Sequence, residues 1–225
     1  MFVSPARLAF PTCASEQDYI LIKTRSGSGP ALDKGDVLLE ARGLSKGFPG
    51  VWEHLILDKL DFDVRSGEVH TLLGENGAGK TVIANILSGY YEKTEGEIRV
   101  KGKLVHFRSP REGLAHGIAM VHQELMLVPA FTVAENIMMG LDVPLFSYEI
   151  TGVEKRIEIL VERYGLQVDP KARVENLSAG QQQRVEILKV LFHEPEVLLL
   201  DEPTSLLTPS EADQLFVVLR AMADD

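Results

Sequence analysis

The spacing of apolar residues changes several times along the chain, and each change predicts an element. Val37-Leu38-Leu39-Glu40 opens a strand-rich stretch in which Leu60, Phe62 and Val64 alternate with Asp61 and Asp63, the period of a half-buried strand. Ser66-Gly67 turns the chain into a strand-like run over residues 68–73. A helix-like run follows over residues 82–88, closed by Gly89, and residues 95–102 and 103–107 read as a hairpin around Gly102. The character then shifts. Thr132, with Glu135 three residues on, predicts a capped short helix. Val153, Ile157, Leu160, Val161 and Tyr164 recur at helical spacing as far as Gly165, so residues 124–176 are expected to form a helical insertion between two α/β halves. A further helix opens near Ser178, with Val185, Leu188, Leu191 and Phe192 as its apolar face. Val197-Leu198-Leu199-Leu200 is short and wholly apolar, which suits a strand buried on both faces of a parallel sheet. Residues 1–36 read as a peripheral extension, and residues 25–31 are linker-like in composition.

One junction in this pattern carries chemistry. Gly74-Glu75-Asn76-Gly77-Ala78-Gly79-Lys80-Thr81 fits G-x-x-x-x-G-K-[ST] and joins a strand-like run to a helix-like one, the setting of a phosphate-binding loop. The glycines let successive N–H groups turn inward on phosphate oxygens, and the helix N-terminus adds its partial positive charge. Lys80 supplies a cation for the terminal phosphates, and the Thr81 hydroxyl is placed for Mg²⁺. The sequence therefore predicts binding of a nucleoside triphosphate.

Two later segments extend that site. The apolar run 197–200 ends in Asp201-Glu202, so Asp201 is expected to hold Mg²⁺, directly or through water, and Glu202 to polarise the water that attacks the γ-phosphate. Leu177-Ser178-Ala179-Gly180-Gln181 opens its helix with a capping box between Ser178 and Gln181. The small residues there also make a second anion site, one that could close on a nucleotide held by another copy.

Composition narrows the partners. The formal net charge is -10, which argues against a nucleic-acid footprint, and a single cysteine, Cys13, excludes a disulfide framework or a cysteine-rich metal site. The six histidines show no ligand spacing, and no apolar run approaches the roughly 20 residues that span a bilayer, so a membrane would be reached through a partner.

Taken together, the phosphate loop, Leu177-Ser178-Ala179-Gly180-Gln181 and Leu198-Leu199-Leu200-Asp201-Glu202-Pro203-Thr204-Ser205 resemble the ATP-binding cassette (ABC) family from about residue 37 onward. Residues 45–50, 117–124, 131–136 and 183–189 are similar in wording to the cassettes of simple-sugar and nucleoside importers. The resemblance implies an α/β fold: a P-loop NTPase (RecA-like) core with an N-terminal antiparallel β subdomain and an inserted α-helical subdomain. It implies an ATPase at the cytoplasmic face of the membrane, peripheral, using ATP and Mg²⁺, joined to transmembrane permease subunits and to a second cassette, either a homodimer partner or a tandem domain. By that resemblance Phe48 would stack on adenine, Gln123 would sense Mg²⁺ and γ-phosphate, and Ser178, Gly180 and Gln181 would meet the opposing nucleotide. The segment 125–129 would face the permease.

Three positions depart from the family pattern. Ala179 replaces a glycine, and Thr208 replaces an aspartate, although Thr208 and Glu211 form a capping box with Pro209 at the first helical position. A histidine contacting γ-phosphate is expected after the helix of residues 209–223, but the chain stops at Asp225. An incomplete cassette, binding MgATP and hydrolysing it poorly with one sheet edge uncovered, is the resulting expectation. Alternative readings are a soluble non-transport ABC ATPase or a P-loop kinase; the first would need coiled-coil or basic arms, the second a phosphoacceptor site.

Overall fold

The computed structural model of the chain describes residues 2–4, 19–23, 35–48, 55–75, 77–141, 149–205 and 207–224, with the backbone alone for 2–4, 19–23 and 223–224. Asn76, Cys13 and the linker-like residues 25–31 lie outside the described residues. Two sheets organise the rest. An antiparallel sheet joins β3 (Val37–Lys46), β4 (Leu57–Arg65), β6 (Glu95–Val100) and β7 (Lys103–Val105) in the order β4-β3-β6-β7. The hairpin expected around Gly102 is its β6–β7 corner, where Lys101 and Gly102 both take positive φ, as a two-residue turn matching strand twist requires.

The second sheet has the order β1-β5-β2-β9-β8, from Phe2–Ser4, Val69–Leu73, Tyr19–Lys23, Val197–Asp201 and Ile118–Val121. Strand β2 runs antiparallel to both β5 and β9, while β8 and β9 are parallel. Hence β5, β9 and β8 all point the same way, and their C-terminal ends share one edge. Tyr19 pairs with both Leu72 and Asp201, so the end of β5 and the end of β9 lie at one level.

Two expectations change here. The reading of residues 1–36 as peripheral does not extend to β1 and β2, which are paired into this sheet. Nor is an edge uncovered beside β9 or β5, because β2 hydrogen-bonds to both. Tyr19-Ile20-Leu21-Ile22 has the apolar, β-branched and aromatic composition of a strand, but a strand pairs through backbone groups, so its sequence does not say which slot it fills.

Alternation along β8 and β9 separates two cores. Ala119, Val121, Leu198 and Leu200 face one with α3 (Val133–Met139), α4 (Ile150–Tyr164), α5 (Ala179–Leu191) and α6 (Pro209–Asp224). Ile118, Met120, Val197 and Leu199 face the other, where α1 (Lys80–Leu87) is held between the two sheets. Five consecutive buried residues in β9 are what covering both faces demands. The short α2 (Pro110–Ala115) starts at Ser109, whose side chain accepts from Glu112 N–H. Within residues 124–176, Val153, Ile157 and Tyr164 of α4 are buried, Leu160 and Val161 pack beside them, and Gly165 ends the helix in the left-handed region. Thr132–Glu135 and Ser178–Gln181 both form full capping boxes.

Candidate functional site

Three of the sequence motifs leave the same sheet edge. The phosphate loop follows Leu73, Gln123 follows β8 by two residues, and Asp201-Glu202 closes β9. In α/β sheets this crevice beyond the strand C-termini is where ligands bind.

In the loop, Gly77 and Gly79 take φ of 83° and 88°. A Cβ at Gly79 would also meet the Leu57 side chain at 2.8 Å, so both conformation and space require glycine there. No side chain caps α1 at Gly79, the arrangement that lets an anion take first-turn amides. Lys80 is buried, and its Nζ donates to the carbonyls of Gly74 and, at 3.2 Å, of Glu75. Its ammonium is thereby held within the loop itself. Gly74, Glu75 and Ala78 complete the described part, with Ala78 N–H donating to Glu75 C=O at 3.1 Å. Thr81, the next residue of α1, is exposed.

Asp201 is buried at the end of β9, and Glu202 follows in the left-handed region at φ 46°. Such a backbone costs a non-glycine residue of order 1 kcal/mol or more and needs local support. Ser205 supplies it, donating from N–H and Oγ to the Glu202 carbonyl at 3.2 and 3.1 Å. The Glu202 side chain is met from the other strand: Gln123 Nε2 donates to its Oε2 at 2.6 Å. Two residues 79 apart, expected to handle γ-phosphate and water, thus touch.

The remaining residues lie further out. Phe48 sits edge-on to Tyr91 at 5.3 Å, with Lys46 Nζ 4.6 Å from its ring centroid, so a cation already lies over the Phe48 ring. Ser178 Oγ accepts from Gln181 N–H at 3.3 Å, and Gln181 Oε1 accepts from Ser178 N–H at 3.0 Å. The box uses acceptor oxygens and leaves the hydroxyl and amide hydrogens to other partners. Gly180 is buried, and a Cβ there would lie 2.3 Å from Glu211 Oε1, so it serves as a close contact between α5 and α6.

Several neighbours escaped the sequence reading. His122, next to Gln123, packs its ring edge-on to Tyr90 at 4.7 Å, and burial pushes its pKa below the ordinary histidine value. Glu186, Lys189 and Asn136 bond to the loop after Gln123. For Glu186 a signal existed: an acid flanked by Val185, Ile187 and Leu188 in a helix buried nearly all round must find a partner.

A strand–loop–helix phosphate site, with two acids and a glutamine at the same sheet edge, defines a P-loop nucleotide-binding domain. Residues 57–205 match the family described as ABC transporter. The chain is 49% identical over 164 residues to a nucleoside import ATP-binding protein, NupA, of Lactococcus lactis, covering 72% of this chain and 32% of that protein. It is 41% identical over 191 residues to a guanosine import ATP-binding protein, NupO, of Bacillus subtilis, covering 84% and 37%. A ribose import ATP-binding protein of Rubrobacter xylanophilus is 46% identical over 189 residues, covering 84% and 37%. The chain thus spans about a third of the length of these curated relatives. Among solved structures, an ATP-binding cassette of an ABC transporter in its ADP conformation superposes with a TM-score of 0.71 at 26% identity, covering 83% of this chain and 77% of that one. The cbiO1 subunit of Clostridium perfringens, part of the ABC transporter complex cbiONQ, gives 0.70 at 26%, covering 84% and 74%. The chain belongs to the ABC transporter family and carries its ATP-binding cassette. Among the described residues no helix is long and apolar enough to cross a membrane.

Proposed function

We propose that this chain binds MgATP and, paired with a second cassette, hydrolyses it to power import of simple sugars or nucleosides. The hydrogen bond of 2.6 Å from Gln123 to Glu202 carries the reading, because it joins the general base to a second side chain able to orient water. The phosphates enter the loop of residues 74–81, Asn76 included, and Lys80 turns from the Gly74 and Glu75 carbonyls to the terminal phosphates. The Thr81 hydroxyl, the Asp201 carboxylate and the Gln123 amide oxygen would supply oxygen donors of the kind Mg²⁺ accepts. The ion, when bound, neutralises charge developing between the β- and γ-phosphates. Glu202 then takes the proton of the attacking water. Adenine stacks on the Phe48 face that Lys46 does not cover.

The Ser178 and Gln181 hydrogens, beside the Gly180 contact, reach the nucleotide of the partner cassette. Residues 125–129, where Met126 is exposed, face the permease, which places the chain peripherally on the cytoplasmic side. Relatives at 49% and 46% identity are named for nucleoside and ribose import, and those names support the solute class. The domain division proposed is a cassette from residue 37 onward with its helical insertion at about 124–176, whose central sheet is completed by β1 and β2 from residues 1–36. Titration with a fluorescent ATP analogue tests the core of this: Lys80→Ala should abolish tight binding, and unchanged affinity would refute it. Co-purification of a permease with the full protein tests the transport role.

A further inference from the structure

The loop after Gln123 is apolar in sequence, yet buried polar side chains grip its backbone. Met126 N–H donates to Glu186 Oε1 at 2.5 Å, and its carbonyl accepts from Lys189 Nζ at 2.9 Å. Glu186 and Lys189 pair with each other at 3.1 Å. Val128 is held in the same way by one residue, its N–H donating to Asn136 Oδ1 at 2.7 Å and its carbonyl accepting from Nδ2 at 3.1 Å. Glu186 is 5% exposed and Asn136 2%, whereas Met126, whose backbone Glu186 holds, is 57% exposed. Burying the Glu186 carboxylate carries a desolvation penalty that the partly exposed Lys189 ammonium does not share, and an apolar side chain there would often pack at least as well. The arrangement is therefore unexplained by packing; what it secures is the position of one loop.

We propose that Glu186 and Lys189 are positioning residues that lock the Gln123 loop to α5, so that Gln123 and the Ser178–Gln181 end of that helix move as one body. Holding both backbone groups of Met126 fixes its direction as well as its place. Met126 lies three residues from Gln123, and Glu186 lies eight residues along one continuous helix from Ser178, roughly 12 Å at 1.5 Å per residue. A shift of Gln123 on nucleotide binding is thereby carried to the helix end that faces the partner cassette. The inference rests on the nucleotide site proposed above.

Backbone NMR of the chain, at a concentration where sedimentation shows monomer, tests it with a non-hydrolysable ATP analogue and Mg²⁺. In the parent chain the analogue should shift the Ala179 amide. Glu186→Leu and Lys189→Met should at least halve that shift while analogue affinity stays within about twofold, and Glu186→Gln, which keeps the acceptor oxygen, should restore it. An Ala179 shift in both variants equal to the parent's would overturn the proposal, as would failure of Glu186→Gln to restore it. Should Glu186→Leu not fold, Lys189→Met decides alone, since it removes only a partly exposed ammonium. If the parent binds no analogue, the nucleotide reading fails instead. The grip is then judged by hydrogen exchange at the Met126 amide: at least tenfold faster in Lys189→Met upholds it, and equal rates overturn it.

Discussion

At residue scale, Glu202 combines a strained backbone with a bond to Gln123. In the intact protein Glu202→Gln should retain ATP binding and lower hydrolysis by roughly 10²–10⁴, the range for loss of a general base. Steady-state phosphate release measured alongside ATP titration checks this, and normal turnover would assign the base elsewhere. Gly180 raises a different question, because its Cβ direction is filled by Glu211. The obstructing atom is the end of a flexible side chain, so Gly180→Ala should push Glu211 outward and break its bonds of 3.0 and 2.8 Å from Thr208 N–H and Oγ1. The urea midpoint should fall, because the Glu211 half of the capping box is lost while its N–H still bonds to Thr208 Oγ1. In a Glu211→Ala background the same change should cost much less, and urea unfolding of the four variants measures the difference. Equal costs in both backgrounds would mean that glycine is needed there for another reason.

At the scale of elements, the antiparallel pairing of β3 and β6 is irregular where two glycines meet. A Cβ at Gly96, whose φ is +92°, would lie 2.4 Å from the Gly43 carbonyl oxygen and 2.7 Å from that of Arg42. Backbone cannot swing aside, so Gly96→Ala should destabilise by about 2 kcal/mol or more, seen as a lower urea midpoint. Stability should also depend on pH through the ends of β8 and α5. His122 and His193 both titrate below the ordinary histidine value because burial disfavours the imidazolium. At His122 the carboxylate of Glu186 opposes that effect and Lys189 reinforces it; at His193, Arg156 reinforces it. The unfolded chain takes up protons near pH 6.5 that the native one resists, so stability is full above about 6.5 and falls as pH drops below it. Urea midpoints at about pH 7.5 and 5.5 should show the fall, and His193→Gln should reduce it.

Across the whole molecule, β2 determines the width of the site. It separates β5 from β9, and one strand spacing on each side sets them about 10 Å apart. That is the lateral distance between the phosphate loop and Asp201. Removing residues 1–36 should leave β5 and β9 without their shared neighbour, lower the melting temperature, promote aggregation through the opened edges and weaken MgATP binding. Calorimetry, light scattering and ATP titration on the shortened chain check it. An unchanged melting temperature and affinity would show that the sheet does not depend on β2.

What the sequence determined by itself is whatever depends on near neighbours. The glycines and Lys80 of the phosphate loop, the boxes at Thr132, Ser178 and Thr208, the Gly165 stop and the period of α4 each involve residues within a few positions. Such features need no knowledge of what packs against them, and the family resemblance is built from the same local wording. Tertiary structure decided the rest. That Gln123 meets Glu202, that Lys46 lies over the face of Phe48, and that Glu186 grips Met126 are contacts between residues 79, two and 60 positions apart. The nearest of these, Lys46 with Phe48, depends on Tyr91 and the Glu92 carbonyl from a distant turn. Most of all, Tyr19-Ile20-Leu21-Ile22 is legible as a strand but not as the neighbour of β5 and β9, because a strand enters a sheet through backbone groups that every sequence shares.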